Sequence, residues 1–335
     1  MSCCGIDIGT YNLIVSRRGE NGEVKSKKEV NCFLEVPLEN RFTFNMLKAS
    51  GVKLIERDKI GYAIGEKALD IAYGFPGMVV KRPMRDGCLN PEEKDAFRIL
   101  MIMIHSLIGE VSKDKELVYY SVPANAINQE TDADYHQKVL QDIFNKYKIN
   151  DKTLQAFPIN EGLALIFAEL AEKNYTGIGI SFGAGMINLC YAIFSQPIFQ
   201  MSLVNSGDWI DKQAAKAAGE GVAVINKAKT KIDLREPAKD IVERAIKSQY
   251  HILVEKTMSA IKKALIDAGS KVRPESPIDI VIGGGTASPP GFEQLVAEVV
   301  KELNYPMPIG KIYKPDDHLY SVARGCLVAA ENAQQ

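Results

Sequence analysis

The stretch GIDIGTYNLIV (residues 5–15) joins two apolar runs through a tight turn carrying Gly9 and Thr10, the pattern of a strand, a turn and a second strand. The same plan returns at IGISFGAGMINLCYAI (178–193), with Gly183 and Gly185 in the turn. Later in each half an apolar run leads toward a helix: LVYYSV (117–122) ends at Pro123, and IDIVI (278–282) ends at Gly283-Gly284-Gly285. Two halves that begin and continue alike predict an α/β protein built from two similar lobes facing each other across a cleft.

A glycine turn between strands lets backbone N–H groups converge on one point, and converging N–H groups bind phosphate. Two such hairpins face to face would grip a polyphosphate from both sides, although any tight turn uses the same residues and a plain hairpin is the other reading. Asp7 sits just ahead of the first turn, where one carboxylate suffices for a hydrated Mg²⁺ that keeps most of its waters. The third glycine cluster, GGGTASPPG (283–291), follows an apolar strand and precedes the helix-like FEQLVAEVVKEL (292–303). Open α/β sheets bind ligands outside the carboxyl ends of their strands, as here, and three successive glycines leave a flat backbone for a planar base. Neither G-x-G-x-x-G nor G-x-x-x-x-G-K-[ST] occurs, which speaks against a dinucleotide fold and a P-loop protein.

Between these landmarks, Val30 to Ala72 reads as strand pieces with Gly61 as a turn signal, and FPGMVV (75–80) as a return punctuated by Pro76 and Gly77. A helix is expected from Pro91 to Ile108, with Asn90 as its cap and Glu92 and Glu93 in its first turn. Residues 212–268 read as a helical insertion, with Ile241, Ala245, Ile252, Ile261 and Leu265 at near-helical spacings. No Gly/Ser-rich linker separates the halves; EGLALIFAELA (161–171), bounded by Pro158 and Asn174, predicts a direct helical connection suited to hinging lobes.

The 335 residues, 46% hydrophobic and 25% charged, are of ordinary globular composition, which excludes a disordered or fibrous chain. Lys+Arg 41 against Asp+Glu 42 gives a net charge of -1, so no global field draws the protein to nucleic acid or an anionic membrane. The longest apolar run, Ile99 to Ile104, is far too short to span a bilayer, and Asp7 interrupts the first apolar stretch where a signal peptide would need continuity. Cys3, Cys4, Cys32, Cys88, Cys190 and Cys326 form no C-x-x-C pair, so neither a zinc spacing nor a disulfide framework is visible and a cytoplasmic protein with reduced thiols is expected.

The three glycine elements, in this order and separation, resemble the actin/MreB family of actin-like ATPases. GIDIGTYN resembles its first phosphate loop, SFGAGM its second and GGGTASPPGF its adenosine loop. VKRPMRDGCL (80–89), YAIGEKA (62–68), NSGDWID (205–211) and SVARGCLVAAEN (321–332) resemble further segments of that family, so the likeness spans nearly the whole chain. It implies two ribonuclease-H-like lobes of two subdomains each: 1–32 with 80–150, 33–79, 151–211 with 269–315, and 212–268, closed by a C-terminal helix in 316–335 that packs back on the first lobe. ATP or ADP and Mg²⁺ would lie between them. Carried over by position, Gly9, Thr10, Tyr11 and Asn12 would contact phosphate, Asp7 would position the metal through water, and Gly183, Ala184 and Gly185 would close from the other side. Gly207, Gly284, Gly285 and Thr286 would line the nucleoside, with Lys229 at the base or ribose, although Thr230 stands where the family has glutamate.

Glu161 matches the family position that orients the attacking water; a carboxylate beside a γ-phosphate can align water and accept its proton. Its other reading is a first-turn acid favoured by the helix dipole. One departure from the family bears on catalysis: Ser181 stands where aspartate is usual. A hydroxyl can bond a metal-bound water but brings no negative charge, so binding should survive better than hydrolysis.

The length and the MreB-like segments point to a minimal filament-forming actin homologue whose partner is a second copy of itself, joined head to tail. A monomeric ATP-dependent switch of the same fold is the alternative, and Ser181 supports it. A peptide-binding domain, as in chaperone relatives, is not expected after Gln335, nor an N-terminal amphipathic membrane helix ahead of a strand that starts near Met1. Trp209, the single tryptophan, lies beside the nucleoside turn and offers a built-in probe.

Overall fold

The computed structural model describes residues 3–37, 41–49, 51–57, 60–74, 78–269 and 276–334. The first half runs β1 (Cys3–Ile8), β2 (Asn12–Arg18), β3 (Val24–Val30), β4 (Phe33–Pro37), α1 (Arg41–Ala49), β5 (Leu54–Arg57), β6 (Ile60–Ile64) and α2 (Glu66–Gly74). It continues with β7 (Met84–Arg85), β8 (Cys88–Leu89), α3 (Ala96–Ile108), β9 (Glu116–Val122), α4 (Ala133–Lys146) and β10 (Leu154–Asn160). The second half comprises α5 (Glu161–Glu169), β11 (Gly177–Phe182), β12 (Ile187–Ile193), β13 (Gln196–Leu203), α6 (Gly207–Ala218), α7 (Val222–Lys229) and α8 (Ile241–Ala268). It closes with β14 (Ile278–Gly283), α9 (Phe292–Leu303), β15 (Ile309–Tyr313) and α10 (Ser321–Asn332).

Each half centres on a five-stranded sheet, in the orders β10-β9-β1-β2-β3 and β13-β12-β11-β14-β15. In both, the strand before the glycine turn pairs antiparallel with the strand after it and parallel with the later buried strand. β11 and β14 are buried along their whole length, which is why they read as continuous apolar runs without alternation. β3, at a sheet edge, is exposed for most of its length and carries Lys25, Lys27 and Lys28, charges that deter edge-to-edge pairing.

A small sheet, β4-β6-β5, packs its own core of Cys32, Leu34, Val36, Ala63, Ala68 and Ile71. Gly61 lies inside β6 and not at a turn, opposite Val36 and Glu56, because the Phe44 ring occupies the space where its side chain would stand. Phe75, Pro76 and Gly77, read as a return, lie outside the described residues. The helix expected from Pro91 starts at Ala96. Asn90 does not cap it: its Oδ1 accepts the Glu92 N–H at 3.2 Å, which folds a separate turn, while Asp95 precedes the helix and bonds the Tyr62 hydroxyl at 2.8 Å.

The 212–268 region is predominantly helical, as expected, and α8 buries one stripe. Ala245, Ile246, Tyr250, Leu253, Val254, Met258, Ile261 and Leu265 face the second core, whereas Ile241 is exposed and Ile252 half-buried. Ile241 sits in the first turn after the Asp240 cap, ahead of the packed stretch.

Two helices carry the junction between lobes. α5 lies on the second sheet and α10 on the first, where Gly5 admits the backbone of Ala323 to Leu327. They pack against each other so closely that any side chain at Gly325 would collide with the Ala164 backbone. A second seam joins residues after β9 to β13: the Ile127 N–H donates to Ser202 O (2.9 Å) and the Ser202 N–H to Asn125 O (3.3 Å). All six cysteines are buried and none is in a disulfide. Among the described residues no helix is long and apolar enough to cross a membrane.

Candidate functional site: an interlobe cleft

The two glycine turns repeat one local geometry. The Gly9 N–H donates to Asn12 O at 3.0 Å, and the Gly183 N–H to Met186 O at 3.0 Å. Asn31 braces the first turn, giving its Nδ2–H to Gly9 O (2.9 Å) and its N–H to Tyr11 O (2.7 Å). Thr10 Oγ1 accepts the Gly87 N–H at 3.1 Å, so the turn between β7 and β8 is pinned beside it. A Cβ on Gly185 would stand 2.6 Å from Thr10 Oγ1; the hairpins of the two lobes are in contact.

One carbonyl gathers the other glycine elements. Gly183 O accepts from Ser206 Oγ (2.5 Å), Thr286 Oγ1 (2.6 Å) and the Gly207 N–H (3.2 Å). The second turn, the start of α6 and the segment after β14 are thereby held as one surface. Gly284 has a φ of +88°, and a Cβ there would run into the Phe182 backbone; only glycine meets both conditions. The cleft so formed has a volume of about 400 Å³ and is lined by Asp7, Gly9, Thr10, Tyr11, Asn12, Glu161, Ser181, Gly183, Ala184, Gly185, Gly207, Lys229, Gly284, Gly285 and Thr286. Every candidate named from the sequence is thus brought to one place.

Two acids stand in it from opposite lobes. Asp7 Oδ1 accepts the Ser121 hydroxyl at 2.9 Å, and Ser121 Oγ accepts the Ile8 N–H at 2.9 Å. Glu161 opens α5, but capping is done by Asn160, whose Oδ1 accepts the Gly162 N–H (2.9 Å) and Leu163 N–H (3.3 Å). The Glu161 carboxylate is therefore released from a capping role and lines the cleft beside Ser181 and Asn188. Burial raises the pKa of both acids, and the neighbouring Asp7 charge raises Glu161 further, against the lowering influence of the polar Ser181 and Asn188. Among the described residues neither acid has an ion-pair partner, and no group of three or more His, Cys, Asp or Glu could hold a metal alone.

A family model described as volactin matches residues 1–330. The chain belongs to the volactin family. No curated protein sequence matches it. Among solved structures, this volactin-family chain is similar to a MamK double helical filament, with a TM-score of 0.73, 17% identity and 98% coverage of both chains. It is also similar to MreB 5 of Spiroplasma citri bound to AMPPNP, at TM-score 0.67, 14% identity and coverage of 99% of this chain and 97% of that one. A third likeness is to ethanolamine utilization protein EutJ from Carboxydothermus hydrogenoformans, at TM-score 0.55, 12% identity and coverage of 98% and 90%. These likenesses establish the fold: the volactin-family chain has the two-lobed actin-like ATPase fold, as its glycine elements implied.

Three cleft groups escaped the sequence reading. Asn188 is the one polar residue in the apolar strand INLCYAI, a signal that could have been read. Arg82 and Asp208 form a two-pronged pair across the lobes (2.8 and 3.1 Å), with the Arg82 guanidinium 4.9 Å from the centre of the Tyr11 ring. Nothing in the sequence singles out this pair among other charges 126 residues apart. Lys229 lines the cleft, but its ammonium is taken by Asp211 Oδ1 (2.7 Å) and Gly207 O (3.0 Å).

Proposed function

We propose that this chain binds ATP with Mg²⁺ in the interlobe cleft, assembles head to tail into cytoplasmic filaments in the ATP state, and hydrolyses ATP slowly. The observation that carries this reading is the pair of mirrored glycine hairpins meeting across one cleft. Gly9 to Asn12 and Gly183 to Gly185 would hold the phosphates, and Gly207 with Gly284 to Thr286 the nucleoside, with Lys229 held nearby by Asp211. The lobes would divide into the four subdomains expected from the sequence, hinging on α5 and α10.

The residues fit a magnesium ion. Asp7 and Glu161 are like charges with no cation against them, and one or two carboxylates plus nucleotide phosphates are what Mg²⁺ takes while keeping several waters. When bound, the ion would neutralise charge on the phosphates. Glu161 would orient water and accept its proton as the water oxygen bonds the γ-phosphorus and the bond to the β–γ bridging oxygen breaks. Ser181 lines the cleft with a neutral hydroxyl and adds no charge, which supports slow turnover.

Assembly is supported by the likeness over 98% of the chain to a MamK double helical filament, and ATP would favour it by stabilising the closed lobe arrangement. Pelleting and light scattering at rising protein concentration, with ATP, ADP or no nucleotide, test it. Scattering above a critical concentration only with ATP is the expected result. Ser181 favours one second reading, a monomeric ATP-dependent switch; absence of assembly in every state, with Trp209 fluorescence still responding to ATP, would establish that instead.

A further inference from the structure

Asp211, on α6 in the second lobe, is only 3% exposed. Its carboxylate is held from α7 on both oxygens: the Lys229 ammonium lies 2.7 Å from Oδ1, and Asn226 Nδ2–H donates to Oδ2 at 2.9 Å. Lys229 also donates to Gly207 O at 3.0 Å, which ties α7 to the start of α6. Taking a carboxylate and an ammonium out of water is costly unless further hydrogen bonds satisfy the pair, and Asn226 supplies one.

The same bond fixes the Asn226 amide. A carboxylate paired with an ammonium only accepts, so Asn226 turns its nitrogen to Asp211 and has Oδ1 left over. Asn226 is half-buried and lines the interlobe cleft together with Lys229 and Thr230. Among the described residues nothing donates to its Oδ1. Thr230, one helical turn further on, spends its hydroxyl proton on Lys227 O at 2.8 Å. This wall thus turns an ammonium, an amide nitrogen and a hydroxyl proton toward the protein, and leaves the Asn226 oxygen for a ligand.

We propose that Asn226 Oδ1 accepts a hydrogen bond from a donor on the nucleoside and is the specificity-determining residue at that end of the cleft. The proposal rests on the reading that ATP lies there with its nucleoside toward Gly207 and Gly284 to Thr286. Two parts of that nucleotide carry such a proton, the ribose hydroxyls and the 6-amino group of the base. A ribose donor makes the site select ribonucleotides. The amino group makes it select ATP over GTP, whose 6-oxo group would set one acceptor against another.

The test is calorimetric titration of the full chain and of Asn226→Ala with Mg²⁺ and four nucleotides: ATP, 2′-deoxy-ATP, 3′-deoxy-ATP and purine riboside triphosphate, which lacks the 6-amino group. Alanine suits a helix. Loss of the Asp211 donor lowers the affinity for every nucleotide alike and cancels in the ratio between two of them. In the parent, one analogue is expected to bind roughly fivefold more weakly than ATP, and which analogue does so identifies the donor. In Asn226→Ala that analogue and ATP should bind alike. Ratios that are the same in parent and variant for all three analogues would overturn the proposal, and with saturable ATP binding by the parent they leave the cleft reading standing. A parent that binds no ATP removes both.

Discussion

Asp7 and Glu161 each bear a pKa raised by burial, and this fixes the sign of a stability effect. Over the range between the ordinary carboxylate value and the raised one, the folded chain holds protons that the unfolded chain has released, so stability falls as pH rises through it. Glu161→Gln should therefore raise the melting temperature of the nucleotide-free chain at neutral pH, on the order of 2 °C, and leave it unchanged well below the ordinary carboxylate range. Thermal unfolding at both pH values checks this; equal shifts at both would mean that charge is not the cause. In catalysis the same variant should slow phosphate release by roughly 100-fold while ATP still binds. At this scale the sequence was legible where backbone chemistry is local. Glycine turns announce themselves within a few residues, whereas the Ser202 to Asn188 bond and the Arg82 to Asp208 pair form only once separate segments meet.

Among the elements, α9 occupies the residues read as a helix-like run, and α10 those whose resemblance to the family's closing helix implied it. α3 does not, since Asn90 folds a turn of its own before the helix can start. Of the residues at near-helical spacing, Ala245, Ile261 and Leu265 are buried on α8 while Ile241 is exposed and Ile252 half-buried, since spacing alone does not say which side a neighbour will cover. α5 and α10 meet backbone to backbone at Gly325, and the expected packing of α10 on the first lobe said nothing of this second contact with α5. Gly325→Val should destabilise the chain by at least ~3 kcal/mol, since neither backbone can yield without moving a lobe. Urea unfolding would measure the loss, and a midpoint equal to that of the parent would refute this packing account.

Across the whole molecule, the lobes meet at the paired hairpins, at the seam between residues 124–128 and β13, and at the Arg82 to Asp208 pair beside Tyr11. Removing the pair should ease opening of the cleft. Arg82→Asp alone is expected to speed ATP dissociation by roughly tenfold, and Arg82→Asp with Asp208→Arg to restore most of the parental rate; stopped-flow release of a fluorescent ATP analogue reads both. The two-lobed architecture was legible because its plan occurs twice, and a repeated strand, turn and strand is a stronger signal than either copy. The proposed function requires ATP in the cleft between those copies. Calorimetric titration of the chain with ATP, with and without Mg²⁺, tests this most directly. One saturable site per chain, competed by ADP and weakened by Asp7→Asn about tenfold only when Mg²⁺ is present, is the predicted result. Absence of saturable binding, or a site indifferent to Asp7→Asn in Mg²⁺, would contradict it.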